Sequence, residues 1–277
     1  MSAITARAVE EPRGFGRITA AVSDAMAVTG RNLITLRRVP QLIVFSTIQP
    51  VIFVLLWRYV FGGAIGRGLP PGISYVDFLI PGIFIQTVVF GAMGAAVGLA
   101  ADLKTGLLER FQALPMARSA VLAGRTFADM VRNLFVVALM AAVGFAVGFE
   151  LHTDVLGFLA GMLLVVLFGY ALSWVFATLG LLVGDPETAQ AAAFPIMAPL
   201  VFASNAFVPT ETMPGWLQGF AENQPVSVTI SAVRALVLGV TPAGESTESL
   251  VLKAFGWMAV ILIVFAPVAV RRYRRAV

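Results

Sequence analysis

Long apolar runs separated by polar breaks set the pattern of this chain. Leu42 to Phe61, Tyr75 to Ala100, about Phe127 to Phe149, Val155 to Val183, about Ala191 to Val208 and Leu250 to Val270 are the runs. Several of them approach the roughly 20 residues that a helix needs to cross a bilayer. The pattern predicts an all-α polytopic membrane protein with six transmembrane helices. Trp57 and Tyr59 close the first run as an interfacial anchor, with Arg58 beside them, free to snorkel outwards or to pair with Asp77. In the second run Gly91, Gly94 and Gly98 form a small-residue stripe suited to close helix packing. In the fifth run Pro195 and Pro199 kink or break the helix and free backbone carbonyls.

The longest polar interruption is Ala101 to Arg125. Leu103, Leu107, Leu108, Phe111 and Leu114 recur there at helical spacing, so a short amphipathic helix is expected, ended by Pro115. Ser119 then caps a helix that continues into the third span. Within it Arg125 and Asp129 stand at i,i+4 and Asp129 and Arg132 at i,i+3, a spacing at which these charges satisfy one another. Glu109 and Arg110 have no charged neighbour at helical spacing and are left for another molecule or for water.

Two further segments are too polar or too short to span. Ile18 to Arg38 is amphipathic and reads as a helix lying in the interface, or else as a solvated arm. The first 40 residues are too long and polar for a signal peptide. From Pro209 to Leu238, Met213, Trp216, Leu217 and Phe220 form one amphipathic set, Asn223-Gln224-Pro225 breaks it, and Val226 to Leu238 is apolar but short. A pair of short helices dipping into the outer leaflet fits this segment better than a crossing.

Composition sharpens the class. The chain is 59% hydrophobic and 12% charged, whereas soluble domains carry roughly 25% charged residues. The net charge of +4 reflects topology rather than nucleic-acid binding. With the N-terminus inside, Arg7, Arg13, Arg17, Arg31, Arg37 and Arg38 precede the first span, and Lys104, Arg110, Arg118, Arg125 and Arg132 cluster around the central loop. Arg271, Arg272, Arg274 and Arg275 close the chain. Only Arg58, Arg67, Arg234 and Lys253 fall outside, so the positive-inside rule places both termini in the cytoplasm. The domain reading is a cytoplasmic arm over residues 1–41, a membrane domain over 42–270 and a basic tail over 271–277.

The chemistry is sparse. The absence of cysteine excludes disulfides, thiolate metal sites and cysteine catalysis. His152 is the one histidine, on a short turn, and reads as structural or solvated. No phosphate loop GxxxxGK[ST], HExxH or GxSxG motif is present, which disfavours ATP binding by this chain and intramembrane catalysis. No ionised residue is expected near the centre of a span, where it would cost about 2.5 to 3.5 kcal/mol, and this disfavours proton-coupled transport. The interior polar set is neutral: Gln49, Gln86, Thr87, Tyr170, Ser173, Ser204 and Asn205. Passive spans with a shaped cytoplasmic loop suggest a subunit driven by a partner.

Three stretches carry a specific resemblance. RRVPQLIVFSTIQPVIFVLLWRYVFGGAI (Arg37 to Ile65), LLERFQALPMARSAVLAGRTFADMVRN (Leu107 to Asn133) and NQPVSVTISAVRALVLG (Asn223 to Gly239) resemble the ABC-2 family of ABC transporter permeases, and within it the daunorubicin-resistance permease branch. The likeness covers the chain after the first 30 residues, in the same order and spacing. It implies six spans, an N-terminal interfacial helix, a coupling helix between the second and third spans and external re-entrant helices before the sixth. Two permease chains, identical or related, would pair through their first and fifth spans and work with two copies of a separate ATP-binding subunit. ATP and magnesium would be bound there, and this chain would bind no cofactor or metal and catalyse nothing. The resemblance maps the coupling helix onto Leu107 to Pro115, with Glu109, Arg110, Leu114 and Pro115 as its motif residues, Leu107 and Phe111 on its apolar stripe and Arg118 just beyond. The substrate pathway would be offered neutral hydrogen bonds by Gln49, Gln86, Ser204 and Asn205, and Trp216, Asn223, Gln224 and Pro225 would mark the external element. The implied role is ATP-driven export of an amphipathic drug-like or lipid molecule across a bacterial cell membrane, with a cell-envelope lipid or glycan as the alternative cargo. A membrane enzyme using the external segment and a structural or assembly factor are the competing classes.

Overall fold

The computed structural model describes residues 40–66, 69, 72–107 and 118–276, together with Met26, Thr29 and Gly30. No strand occurs among the described residues. Eight helices carry the architecture. They are α1 (Pro40–Leu56), α2 (Tyr75–Lys104), α3 (Arg118–Ala146), α4 (Val155–Val183), α5 (Pro186–Phe202), α6 (Gly215–Asn223), α7 (Pro225–Leu238) and α8 (Thr247–Ala276). A π-turn, Trp57–Phe61, and a helical turn, Gly62–Ile65, extend α1. Five helical stretches are long and apolar enough to cross a membrane: 48–65, 75–104, 122–146, 155–183 and 247–275. The fifth apolar run forms α5, which at 17 residues is shorter than these.

Local chemistry sets the boundaries. Ser74 caps α2, its hydroxyl accepting from the Asp77 amide while the Asp77 carboxylate accepts from the Ser74 amide. Asp154 caps α4 through the Gly157 amide at 2.8 Å, and Gly184 ends it in the left-handed conformation at φ 73°. Asp185 caps α5 through the Thr188 amide at 3.0 Å, with Pro186 in the first turn. The fourth span thus falls where the sequence places it. α2 and α3 begin or end in polar sequence beyond the expected apolar runs, because helix continues past the hydrocarbon boundary wherever its charges find partners.

The helix α2 is the axis of the bundle. It is apolar on all sides, and Leu79, Ile80, Ile83, Phe84, Ile85 and Val88 are fully buried. It packs against α1, α3, α4, α5 and α7. Outside it, α8 shows one buried stripe, Leu250, Ala254, Met258 and Ile261, and leaves Leu252 and Ile263 uncovered. At one end of the bundle Leu99, Leu122, Leu181 and Tyr273 form a cluster that joins α2, α3, α4 and α8. Lys104 meets Asp185 there at 2.7 Å, and the buried Thr29 donates to the Gly124 carbonyl at 2.9 Å. The opposite end carries α6, α7 and the turn at His152, where Thr153 donates to the Leu236 carbonyl at 2.7 Å.

The structure corrects two ion-pair expectations and bears out a third. Asp77 does not meet Arg58: it accepts from the Glu150 amide at 2.8 Å and stands 3.3 Å from His152 Nε2. Arg58 lies against the Tyr59 ring instead. Arg125 pairs with Asp102 of α2 rather than with Asp129, whereas Asp129 does pair with Arg132, at 3.2 Å. His152 is a structural residue of the turn between α3 and α4.

Candidate functional site

The four neutral residues expected along a pathway divide between two places. Gln49, exposed on α1, and Gln86, buried in α2, line one cavity of about 270 Å³ between α1, α2 and α3. Ser204 and Asn205 belong to the other end of the molecule. They lie not on the fifth helix but on the bend after it, since α5 stops at Phe202 instead of reaching Val208.

The early stop has a tertiary cause. Both prolines are accommodated inside α5, and the Ala203 amide still reaches the Pro199 carbonyl at 2.9 Å. Beyond that point the carbonyls go to partners from elsewhere. Gln224 donates to the Leu200 carbonyl at 2.8 Å, and Arg234 donates to the Asn205 carbonyl at 2.8 Å and that of Ala206 at 3.3 Å. Ser204 is buried, donates to the Val201 carbonyl at 2.6 Å and accepts from the Ala206 amide at 3.1 Å. Asn205 donates to Ser231 at 2.8 Å. Phe207 then stacks on Trp57 at 4.5 Å between centroids, tying the bend to the end of the first span. Ser204 is thereby a helix-ending residue by its contacts, and Asn205 lines a second cavity of about 1230 Å³ at this end, beside Thr210, Glu211, Arg234 and Trp257.

In the external element Gln224 is the organising residue. Its side chain accepts from the Val226 amide at 2.9 Å, so it caps α7, with Pro225 in the first turn. Asn223 donates to the Gly219 carbonyl at 2.9 Å and ends α6. Trp216 is 82% exposed and makes no core contact. The helices α6 and α7 correspond to the short pair read from Pro209 to Leu238.

The inner cleft differs in kind. Arg132 is the middle residue of the 29-residue α3, about 21 Å along the axis from either end. It lies within residues 122–146, the part of α3 that is apolar enough to cross a membrane. The sequence places Arg132 at the cytoplasmic start of the third span, and in the structure it turns towards α2 inside the bundle. The small-residue stripe of α2 makes this possible. Arg132 Nη2 donates to the Gly91 carbonyl at 2.7 Å, and a Cβ on Gly94 would stand 3.3 Å from the same nitrogen. A Cβ on Gly91 would collide with the Asn133 amide, and one on Gly98 with the Arg125 guanidinium. The glycines do serve helix packing, but what they admit is polar side chains of α3 rather than its backbone.

Two groups beside this cavity have no hydrogen-bond partner: Gln86 Oε1 and Asn133 Nδ2, on residues that are each only 3% exposed. Leaving such an atom unpaired costs about 1 to 3 kcal/mol. The Thr87 hydroxyl is used within α2, donating to the Ile83 carbonyl at 2.7 Å. Sequence reading missed Arg132 and Asn133 as part of this site. The available signal was their spacing opposite a glycine stripe on the preceding helix.

The coupling residues Glu109, Arg110, Phe111, Leu114 and Pro115 lie outside the described residues. Of that set, Leu107 is helical and half-buried just after the end of α2, and Arg118 opens α3. The interfacial segment Ile18 to Arg38 also lies outside them, apart from Met26, Thr29 and Gly30, which are helical. At the cytoplasmic face expected for these elements, Asp185 is held well below the usual carboxylate range, at about 2, by its bond from Lys104 and then by the Thr188 amide. Among the described residues no group of three or more acidic or histidine side chains is placed to hold a metal ion.

Comparison with known proteins agrees with this architecture. The model of the ABC-2 type transporter family matches residues 24–238. A daunorubicin resistance ABC transporter permease protein, DrrB1, of Streptomyces coeruleorubidus is 34% identical over 92% of this chain and 87% of its own length. A probable doxorubicin resistance ABC transporter permease protein, DrrC, of Mycobacterium tuberculosis is 26% identical over 92% of this chain and 90% of its own. The inner membrane transport permease YadH of Escherichia coli is 28% identical over 79% and 84%. A helical bundle built on a central apolar α2, carrying these sequence matches from the amphipathic arm through α7, belongs to the ABC-2 type transporter family, as a membrane permease subunit of an ABC exporter.

Proposed function

We propose that this chain exports an amphipathic drug-like molecule. In this reading it works as one of two permease chains, with two copies of a separate ATP-binding subunit that holds ATP and magnesium. The observation that carries the reading is the 34% identity, over 92% of the chain, to a permease named for daunorubicin resistance. The export route crosses the membrane once the 17-residue α5 completes a sixth span beside the five longer helices. A length of 17 residues lies at the lower end of what spans a bilayer. Pairing of two permeases through α1 and α5 is supported by uncovered apolar side chains on both: Ile48, Ile52, Leu55 and Leu56 on one and Phe194, Ile196 and Phe202 on the other. The arginine-rich end of α8 and the Lys104–Asp185 pair face the cytoplasm of a bacterial cell, and α6 and α7 face outwards.

The decisive experiment co-expresses the chain with an ABC ATP-binding subunit that co-purifies with it and follows doxorubicin uptake into inverted membrane vesicles. ATP-dependent uptake is expected, and its absence with a correctly assembled complex overturns the drug reading in favour of a lipid or glycan cargo. The coupling role of the loop is tested by Glu109→Lys and Leu107→Asp, which should weaken co-purification with the ATPase or uncouple hydrolysis from uptake. Glu248→Lys is the matched control, being exposed at the other end. Glu245 is less suitable as a control, because Lys253 and Ser249 bond its carboxylate and hold its pKa below the usual range. Orientation follows from single cysteines, since the chain has none of its own. Impermeant reagent on intact cells should label Glu211→Cys, which is exposed where Thr210 beside it is buried, and leave Ser119→Cys untouched, and the reverse pattern would invert the topology.

A further inference from the structure

The cleft between α1, α2 and α3 holds hydrogen-bonding capacity that the protein itself does not use. Its charge is already balanced: Arg132 is matched by Asp129 at 3.2 Å and by the Gly91 carbonyl at 2.7 Å. What remains in the cavity wall is the amides of Gln86 and Asn133, which make no hydrogen bond within the protein: Gln86 Oε1 and Asn133 Nδ2 are sealed from the cavity, which leaves the Gln86 Nε2 donor and the Asn133 Oδ1 acceptor open to it. The rest of the wall is largely apolar, with Pro50, Phe90, Met93 and Val136. The volume of about 270 Å³ is larger than the roughly 150 Å³ hollow that accepts benzene. It suits one substituted ring better than a whole drug-sized molecule, since pockets for those start at about 300 Å³.

The way in is set by Gln49. It lines the cavity and is exposed on α1, between Ile48 and Ile52, which are 44% and 53% exposed. An apolar surface at this depth faces lipid or a second copy of the chain, so an occupant enters from the membrane phase and not from bulk water. A lipid tail would leave Gln86 and Asn133 unpaired, and a charged headgroup would meet a guanidinium that is already neutralised. We propose that this cavity binds the uncharged polar ring of a membrane-dissolved amphiphile, a ring whose hydroxyl accepts from the Gln86 amide and donates to the Asn133 amide. This deepens the export reading, and rests on it only for the fate of the bound molecule.

The test uses the full-length permease alone, in nanodiscs of phosphatidylethanolamine and phosphatidylglycerol, with tritiated 2-naphthol as probe and 2-methylnaphthalene as its hydroxyl-free isostere. Saturable binding above empty nanodiscs is expected, with 2-methylnaphthalene competing about tenfold more weakly, the equivalent of one hydrogen bond. Gln86→Leu and Asn133→Leu should each weaken 2-naphthol binding by about the same tenfold factor. Gln86→Leu should also melt a few degrees above the wild type, because it removes an unpaired buried acceptor while keeping the volume. A structural glutamine would instead lower the melting temperature when replaced. Equal competition by the two naphthalenes, no saturable binding, unchanged affinity in the variants or a lower melting point for Gln86→Leu would each overturn the assignment. Should Asn133→Leu not yield a monodisperse protein, Gln86→Leu alone decides. Intact 2-naphthol binding in a permease that fails to move doxorubicin would refute the substrate reading and leave this site standing.

Discussion

Arg132, part-buried, and Arg234, buried, both turn into the bundle, and the molecule uses them in opposite ways. Arg234, on α7, is 5% exposed; it stacks 3.5 Å over the Phe78 ring and donates to the carbonyls of Phe78, Asn205 and Ala206. It has no carboxylate within ion-pairing distance among the described residues. Two of its partners are backbone oxygens left over where α5 ends and the third is the Phe78 carbonyl of α2, so its charge is consumed in tying α7 to both. Arg132 has a carboxylate beside it and one carbonyl, and it stands next to amide groups that remain unpaired. The lesson is that burial of a charge does not by itself mark a site. A guanidinium divided among three backbone carbonyls is a rivet, even with the unpaired Asn205 Oδ1 beside it, and one held by a single carbonyl and a carboxylate beside two unpaired amides borders a place where something else binds.

Removing each arginine should expose this difference. The largest effect is expected for Arg234→Leu. It leaves several buried carbonyls without donors, a loss of about 3 kcal/mol or more. In a chain of this size that corresponds to a fall of roughly 6 to 12 °C in melting temperature, read from tryptophan fluorescence in detergent. Arg234→Lys should recover little, since an ammonium cannot span the three carbonyls in the same plane. A melting point within a degree or two of wild type would show that the bend after α5 holds without the rivet.

The pair at the inner cleft should respond as a pair. Arg132→Gln alone leaves the part-buried Asp129 unmatched, and a destabilisation of about 1 to 3 kcal/mol is expected. Asp129→Asn in the same chain should restore most of it, giving a coupling of about 1 to 3 kcal/mol in the double-mutant cycle. Additive losses would mean that the two side chains act independently and that the cleft is not held neutral by their contact.

The smallest effect is expected at the surface pair Lys104–Asp185. Both side chains are substantially exposed, at 63% and 36%, so Asp185→Asn should change the melting temperature little. Asparagine still offers the Thr188 amide an acceptor and keeps the cap of α5. The sign of any pH dependence is fixed by the lowered pKa of about 2. Stability from the ionised carboxylate is fully present above the ordinary carboxylate range and is lost only as pH falls towards 2. The difference between wild type and variant should therefore be flat from about pH 5 to pH 8. A difference that grew with pH in that window would assign the contact to another titrating group.

Much of the bundle could be read directly from the residues. The fourth span runs from Val155 to Val183 in both sequence and structure, because an Asp cap and a terminal glycine bound an uninterrupted apolar run. The short outer helices follow from Asn223-Gln224-Pro225, a break written in local chemistry. The candidate site was legible only in part. Gln49 and Gln86 stood out as neutral polar residues in apolar runs, and the fold does bring those two to one cavity. Ser204 and Asn205 carried the same signal, yet they close a helix end at the opposite side of the molecule.

What the sequence determined by itself is everything that depends on one segment and its solvent: which runs are apolar, where caps and breaks fall, and the membrane class. Those quantities are sums over neighbours in the chain. The tertiary structure decided where each polar group finds its partner. Arg132 reaches a carbonyl 41 residues away and Arg234 one 156 residues away, and in a medium without water such partners determine whether a polar side chain is structural or available. Periodicity carries no information about them. The same glycine stripe reads as helix packing in one dimension and, in three, as the slot that holds the arginine and asparagine of α3.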